Sequence, residues 1–88
     1  MPDSQQTEKS IEITVKLFGT LARGFKNYDR QKGMAVLLAP DAEVADLLRR
    51  LNLSGKNIVV VKDGRVVNDS EPLTHGCLIS LMQPAHGG

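Results

Sequence analysis

The sequence predicts an α+β domain: a mixed β-sheet with one main helix packed on one face. Three stretches carry that prediction. "IEITVKLF" (Ile11 to Phe18) alternates, with Ile11, Ile13, Val15 and Leu17 on one side and Glu12, Thr14 and Lys16 on the other, the pattern of a strand with one buried face. "VADLLRRL" places Val44, Leu47, Leu48 and Leu51 at the i, i+3, i+4, i+7 spacing of a single apolar helix stripe, with Asp46, Arg49 and Arg50 turned away from it. "VVVKDGRVV" reads as a hairpin, two β-branched runs joined by Asp63-Gly64, a favoured two-residue turn.

Taken in order, the elements leave little of the chain unassigned. Residues 1–10 are polar and aperiodic and are expected to form a disordered tail. After the first strand, Gly19 to Gly33 is rich in glycine and basic residues and predicts a loop containing a short helical turn. Met34 to Ala39 is a second strand with Met34, Val36 and Leu38 on one face. Pro40 ends it, and Asp41 is the expected cap of the helix. Ile58 to Lys62 and Arg65 to Val67 form the hairpin, Glu71 to Gly76 a loop, and Cys77 to Gln83 the last strand, stopped by Pro84. The expected organisation is one domain over residues 11–84 and a flexible tail over residues 85–88.

Composition narrows the function. A chain of 88 residues buries only about 60–65% of its unfolded surface, so a single small core is all it can build. The net charge of +1 and the lack of Trp, with Phe18, Phe25 and Tyr28 the only aromatics, argue against a nucleic-acid or membrane partner. One cysteine allows no internal disulfide and no cysteine cluster for zinc. The polar N-terminal stretch has no apolar signal core, and a cytoplasmic location is expected.

No catalytic constellation is legible. His75 and His86 lie in no metal-ligand spacing, and both read as solvated loop histidines. The glycines between Gly19 and Gly33 lack the spacing and the Lys-Ser/Thr pair of a phosphate-binding loop. Cys77 alternates with Ile79 and Leu81 and reads as a small buried residue. Lys26, Arg30 and Lys32 read as a solvated face, with docking of an acidic partner as the alternative. Two features remain. By alternation Phe18, Leu37, Leu78 and Met82 face away from the helix, an apolar set suited to binding a partner. The ending "QPAHGG" follows the last strand directly: Pro84 stops pairing, Ala85 and His86 lead away, and Gly87 and Gly88 lack side chains. A tail without Cβ atoms fits an extended path in a narrow channel and lets its backbone approach a reagent closely.

These features together resemble the β-grasp sulfur carriers, ubiquitin-like proteins that end in Gly-Gly, and within them the small-subunit branch of molybdopterin synthase, with the thiamine-biosynthesis carriers as close relatives. The likeness covers Ile11 to Gly88 through "VKLFGTLAR", "VADLLRRL", "VVVKDGRVV" and "LTHGCLISLMQPAHGG". Cys77 stands where the family usually has Asp, Gln83-Pro84 where it has Pro-Pro, and Glu43 where it has Thr. The resemblance implies a carrier that is not catalytic alone and binds no cofactor itself. A partner adenylating enzyme would activate the Gly88 carboxylate with ATP and Mg. A sulfur donor such as a cysteine desulfurase would convert it to a thiocarboxylate. The large subunit of molybdopterin synthase, or an equivalent acceptor enzyme, would receive the tail. Gly87 and Gly88 would carry the chemistry; Phe18, Leu37, Leu78 and Met82 would dock the partners, with Pro84, Ala85 and His86 at the exit of the tail. Transfer to thiamine or another sulfur-containing metabolite, conjugation of Gly88 to a lysine amine, and a passive binding module with an incidental tail are the alternatives.

Overall fold

The computed structural model describes residues 10–26 and 28–84. The expected disorder of residues 1–9, and the roles given to Ala85, His86, Gly87 and Gly88, lie outside the described residues. Five strands form one sheet: β1 (Ile11–Leu17), β2 (Met34–Leu38), β3 (Val59–Lys62), β4 (Arg65–Val67) and β5 (Leu78–Met82), in the order β2-β1-β5-β3-β4. The central pair β1/β5 is parallel, and the other three pairs are antiparallel. The chain crosses from β2 to β3 through α1 (Val44–Arg50). This is the mixed sheet with one helix that the periodicities predict, in the β-grasp arrangement.

Alternation sets the inner face. Ile13, Val15, Val44, Leu47, Ile79 and Leu81 are the largest fully buried side chains, where the helix stripe meets the two central strands. Leu21 and Ala22 from a 3₁₀ helix (Gly19–Gly24), Leu53 and Leu73 close the margins. Lys62 also alternates inward, opposite Ile79. Its methylenes cover apolar surface while Nζ reaches Glu71 Oε2 at 3.1 Å and the Pro72 carbonyl at 2.9 Å.

The start of α1 corrects one expectation. Asp41 does not cap the helix: Glu43 is the N-cap residue, and Asp46 Oδ2 accepts its N–H at 2.8 Å. The capping carboxylate therefore comes from inside the first turn, as in the reciprocal half of a capping box. Two further first-turn donors are satisfied by the returning loop, Val44 N–H by Glu71 O at 3.0 Å and Ala45 N–H by Asp69 O at 2.9 Å. At the other end Asn52 takes φ +62°, Leu53 N–H donates to Leu48 O at 2.7 Å, and Asn52 N–H donates to Arg49 O at 3.1 Å. Those two bonds form a Schellman motif, and buried Leu48 and Leu53 are its apolar pair. The motif ends the helix at Arg50, with Leu51 as its C-cap.

Candidate functional site

The candidate site is the sheet face opposite the helix and the point where β5 leaves it. Leu17 pairs with Leu81 on the inner side, so Phe18 and Met82, one residue on, both turn outward. Pairing extends to that row, since Phe18 N–H donates to Leu81 O at 3.0 Å. Met82 in turn lies opposite Val59. One row further along, Ser80 lies opposite Val61, and Val61 opposite Val66. In the next row Leu78 is paired with Thr14. Phe18, Leu78 and Val66 are 46%, 37% and 74% exposed. An apolar strip thus crosses four strands, with Lys16 and Ser80 as polar members of its middle row and Thr14 beside Leu78.

The strip contains three of the four residues expected there and omits the fourth. Leu37 is on the same face and 56% exposed, but it pairs with Glu12 on the edge strand β2, with β1 between it and Leu78. It makes no contiguous surface with Phe18 or Met82. Val59, Val61 and Val66 take its place. Their signal was present in "VVVKDGRVV", but a continuous valine run does not say which members face outward. Only the placement of β3 beside β5, with Val60 inward opposite Leu81, resolves it.

Local chemistry fixes both ends of β5. At its start, Asp63 adopts φ +48° and Gly64 φ +91°, the left-handed pair that a two-residue hairpin turn of type I′ requires. The same Asp63 accepts Leu78 N–H through Oδ1 at 2.9 Å and donates its own N–H to Leu78 O at 2.9 Å. The turn therefore also anchors the strand that bears Leu78. At the far end, Thr20 Oγ1 donates to Gln83 Oε1 at 2.6 Å, holding the last residues before the tail against the 3₁₀ helix. Pro84 is half-buried. Beneath this contact is an open groove of about 490 Å³ lined by Leu21, Phe25, Leu51, Lys56 and Gln83 among others.

Elsewhere the side chains serve the fold. His75 is exposed, and its Nδ1 accepts Glu12 N–H at 3.1 Å. Cys77 is a buried free thiol. Among the described residues no group of three or more His, Cys, Asp or Glu side chains is placed to hold a metal ion, and no helix is long and apolar enough to cross a membrane.

Comparison with known proteins adds the identity of the pattern. The ThiS family profile matches residues 15–88. No curated protein matches the chain in sequence. Among solved structures, the Haloferax volcanii HVO 2177 protein aligns with TM-score 0.71 at 23% identity, covering 100% of this chain and 93% of that one. A Pyrococcus furiosus protein described as molybdopterin converting factor, subunit 1, aligns with TM-score 0.68 at 19% identity, covering 86% and 100%. SAMP1 of Haloferax volcanii, a small archaeal modifier protein, aligns with TM-score 0.64 at 21% identity, covering 88% and 99%. At these identities the structural likeness speaks to the fold alone.

Proposed function

The chain belongs to the ThiS family of β-grasp sulfur carriers, and from that premise we propose that Gly88 is the sulfur-bearing residue, loaded by an adenylating enzyme and unloaded in molybdopterin biosynthesis. One observation carries the proposal: the family match runs through Gly87 and Gly88, a few residues past β5, the middle strand of the sheet. The Gly88 carboxylate attacks the α-phosphate of ATP in the partner enzyme, with pyrophosphate leaving, to give an acyl adenylate. A persulfide sulfur from the donor then attacks the acyl carbon and AMP leaves. A thiol reductant cleaves the resulting acyl disulfide and frees the thiocarboxylate. The carrier contributes a carbonyl carbon that reagents can reach from both sides, since neither terminal residue has a Cβ. It also contributes a docking face: Phe18, Leu78 and Met82, widened by Val59, Val61 and Val66, engage each partner in turn while the tail occupies its active site.

The test is intact mass. Incubated with its adenylating enzyme, ATP, Mg, a cysteine desulfurase, cysteine and a thiol reductant, the chain should gain the mass difference between sulfur and oxygen. Addition of a molybdopterin synthase large subunit and precursor should return it to the carboxylate. A chain that is never adenylated sinks the proposal. A chain that is adenylated but appears as Gly-Gly remnants on lysines, with no thiocarboxylate, identifies a protein modifier instead.

A further inference from the structure

The charge of this chain is distributed very unevenly. Residues 16–33 hold Lys16, Arg23, Lys26, Arg30 and Lys32 against Asp29 alone, a net +4, so the remaining residues sum to −3 within the chain's +1. Elsewhere several cations are engaged: Arg49 pairs with Asp46, Lys62 with Glu71, and Arg50 donates to Leu37 O at 3.0 Å. None of the five cations in the basic segment makes an ion pair with a described residue, and Arg23, Lys26, Arg30 and Lys32 are exposed.

The segment is also fixed in place. β2 begins at Met34, opposite Val15, so the flank of β1 beyond Val15 has no partner strand on that side. The loop fills the gap. Tyr28 Oη accepts Leu17 N–H at 2.6 Å, and Gly33 packs so closely on β1 that a Cβ there would lie 2.6 Å from Val15 O and 3.1 Å from Lys16 Cγ. Lys16 points to the outer face, in the row before Phe18. The basic loop therefore runs along one border of the apolar strip, at its Phe18–Met82 end.

We infer that this border is half of the docking surface, and that it selects a protein partner whose apolar ridge is flanked on one side by Asp and Glu. Apolar contact at Phe18 and Met82 supplies area that many partners could match. A one-sided group of cations, without ion pairs among the described residues, supplies orientation and speeds encounter, because complementary charge acts mainly on the association rate and on rejection of wrong partners. A nucleic-acid partner fits poorly: Phe18 is the only aromatic on that face, and the acidic remainder of the chain would repel a long polyanion. The inference rests on the sulfur-carrier reading only for the identity of the partner.

Two arms test it. In the first, the ¹⁵N-labelled chain is titrated with a peptide alternating leucine and glutamate, and with its lysine counterpart. Saturable shifts are expected at residues 16–18, 28–33 and 80–82 with the glutamate peptide alone, weakening at least tenfold as salt is raised. Shifts centred on Arg49 and Arg50, equal shifts with the lysine peptide, or no shifts would overturn the inference whatever the chain's function. In the second arm, association with the adenylating enzyme is followed by stopped flow. The triple variant Lys26→Glu, Arg30→Glu, Lys32→Glu should associate at least tenfold more slowly at low salt, converging with the parent at high salt. The variant Arg49→Glu, Arg50→Glu, Arg65→Glu, with the same change in net charge, should slow much less. Milder glutamine replacements at 26, 30 and 32 serve if the reversal unfolds the loop. An enzyme that binds and adenylates both triple variants alike leaves the sulfur-carrier reading standing and removes this one.

Discussion

At the scale of single residues, Gly33 makes the sharpest claim. It sits at φ +76°, where a side chain is strained, and its missing Cβ leaves room for Val15 O. Gly55, at φ +81°, shares the strain but has nothing within 4 Å of a Cβ. Gly33→Ala should therefore cost more than Gly55→Ala, which should lose only the conformational part, about 1–2 kcal/mol. At about 4–8 °C per kcal/mol for a domain of this size, calorimetry resolves the difference; equal losses would show that the close approach to β1 carries no energy. Asp29 sets up a second prediction in the same loop. Its carboxylate accepts Lys32 N–H at 3.0 Å and Gln31 N–H at 2.8 Å, and these bonds hold its pKa below the ordinary aspartate value. A depressed folded value stabilises the loop above the unfolded value and is lost as pH falls through the folded one. The Gln31 and Lys32 amide resonances should move together, with a midpoint below the ordinary aspartate value; a midpoint at or above it would contradict the bonds. Neither residue's role was legible in the sequence. A glycine and an aspartate in a loop have no periodicity, and their meaning depends on which strand the loop packs against.

At the scale of elements, the strands and the helix stripe were legible because burial on one face imposes a period, and the outer residues of β1 and β5 followed from the same alternation. Three things were not. The cap of α1 was assigned to Asp41 because Pro40-Asp41 looks like a helix start, whereas the turn at residues 40–41 precedes a helix that begins three residues later. Leu21, in the short 3₁₀ helix, and Leu53 and Leu73, in loops, are buried where no pattern distinguishes a core leucine from an exposed one. The outward valines of the hairpin needed the strand order, which periodicity alone does not supply. The C-terminal cap of α1 provides the test at this scale. Asn52 occupies the left-handed C′ position, which Asn tolerates and glycine prefers. Asn52→Ala should destabilise the domain by about 1 kcal/mol, and Asn52→Gly should leave it unchanged or more stable. The urea midpoint, at constant slope, measures both. A loss with glycine as large as that with alanine would mean that the Asn side chain, rather than its backbone, holds the cap.

At the scale of the whole molecule, the folding core and the proposed acyl chemistry occupy different parts of the chain. The buried core among the described residues spans Ile11 to Leu81, and its fully buried members come from β1, α1 and β5. The proposed chemistry begins at Gly87, past the last core residue and past Pro84. This separation is what a carrier requires: its reactive end must enter other proteins' active sites without disturbing the fold that presents it. It also makes the two properties separable by mutation. Gly87→Arg adds a long charged side chain to a segment proposed to work by being thin, and leaves every core residue unchanged in sequence. The variant should keep the parent's thermal midpoint and its association with the adenylating enzyme through the sheet face. Its thiocarboxylation should fall by at least two orders of magnitude, because the tail can no longer reach the adenylate site. The converse variant, Met82→Asp, charges the proposed docking face and leaves the tail sequence intact; it should weaken association while a saturating enzyme concentration restores loading. Intact mass against enzyme concentration separates the two. If Gly87→Arg is loaded at the parent's rate, the threading argument fails, and the proposed reading of the terminal glycines fails with it.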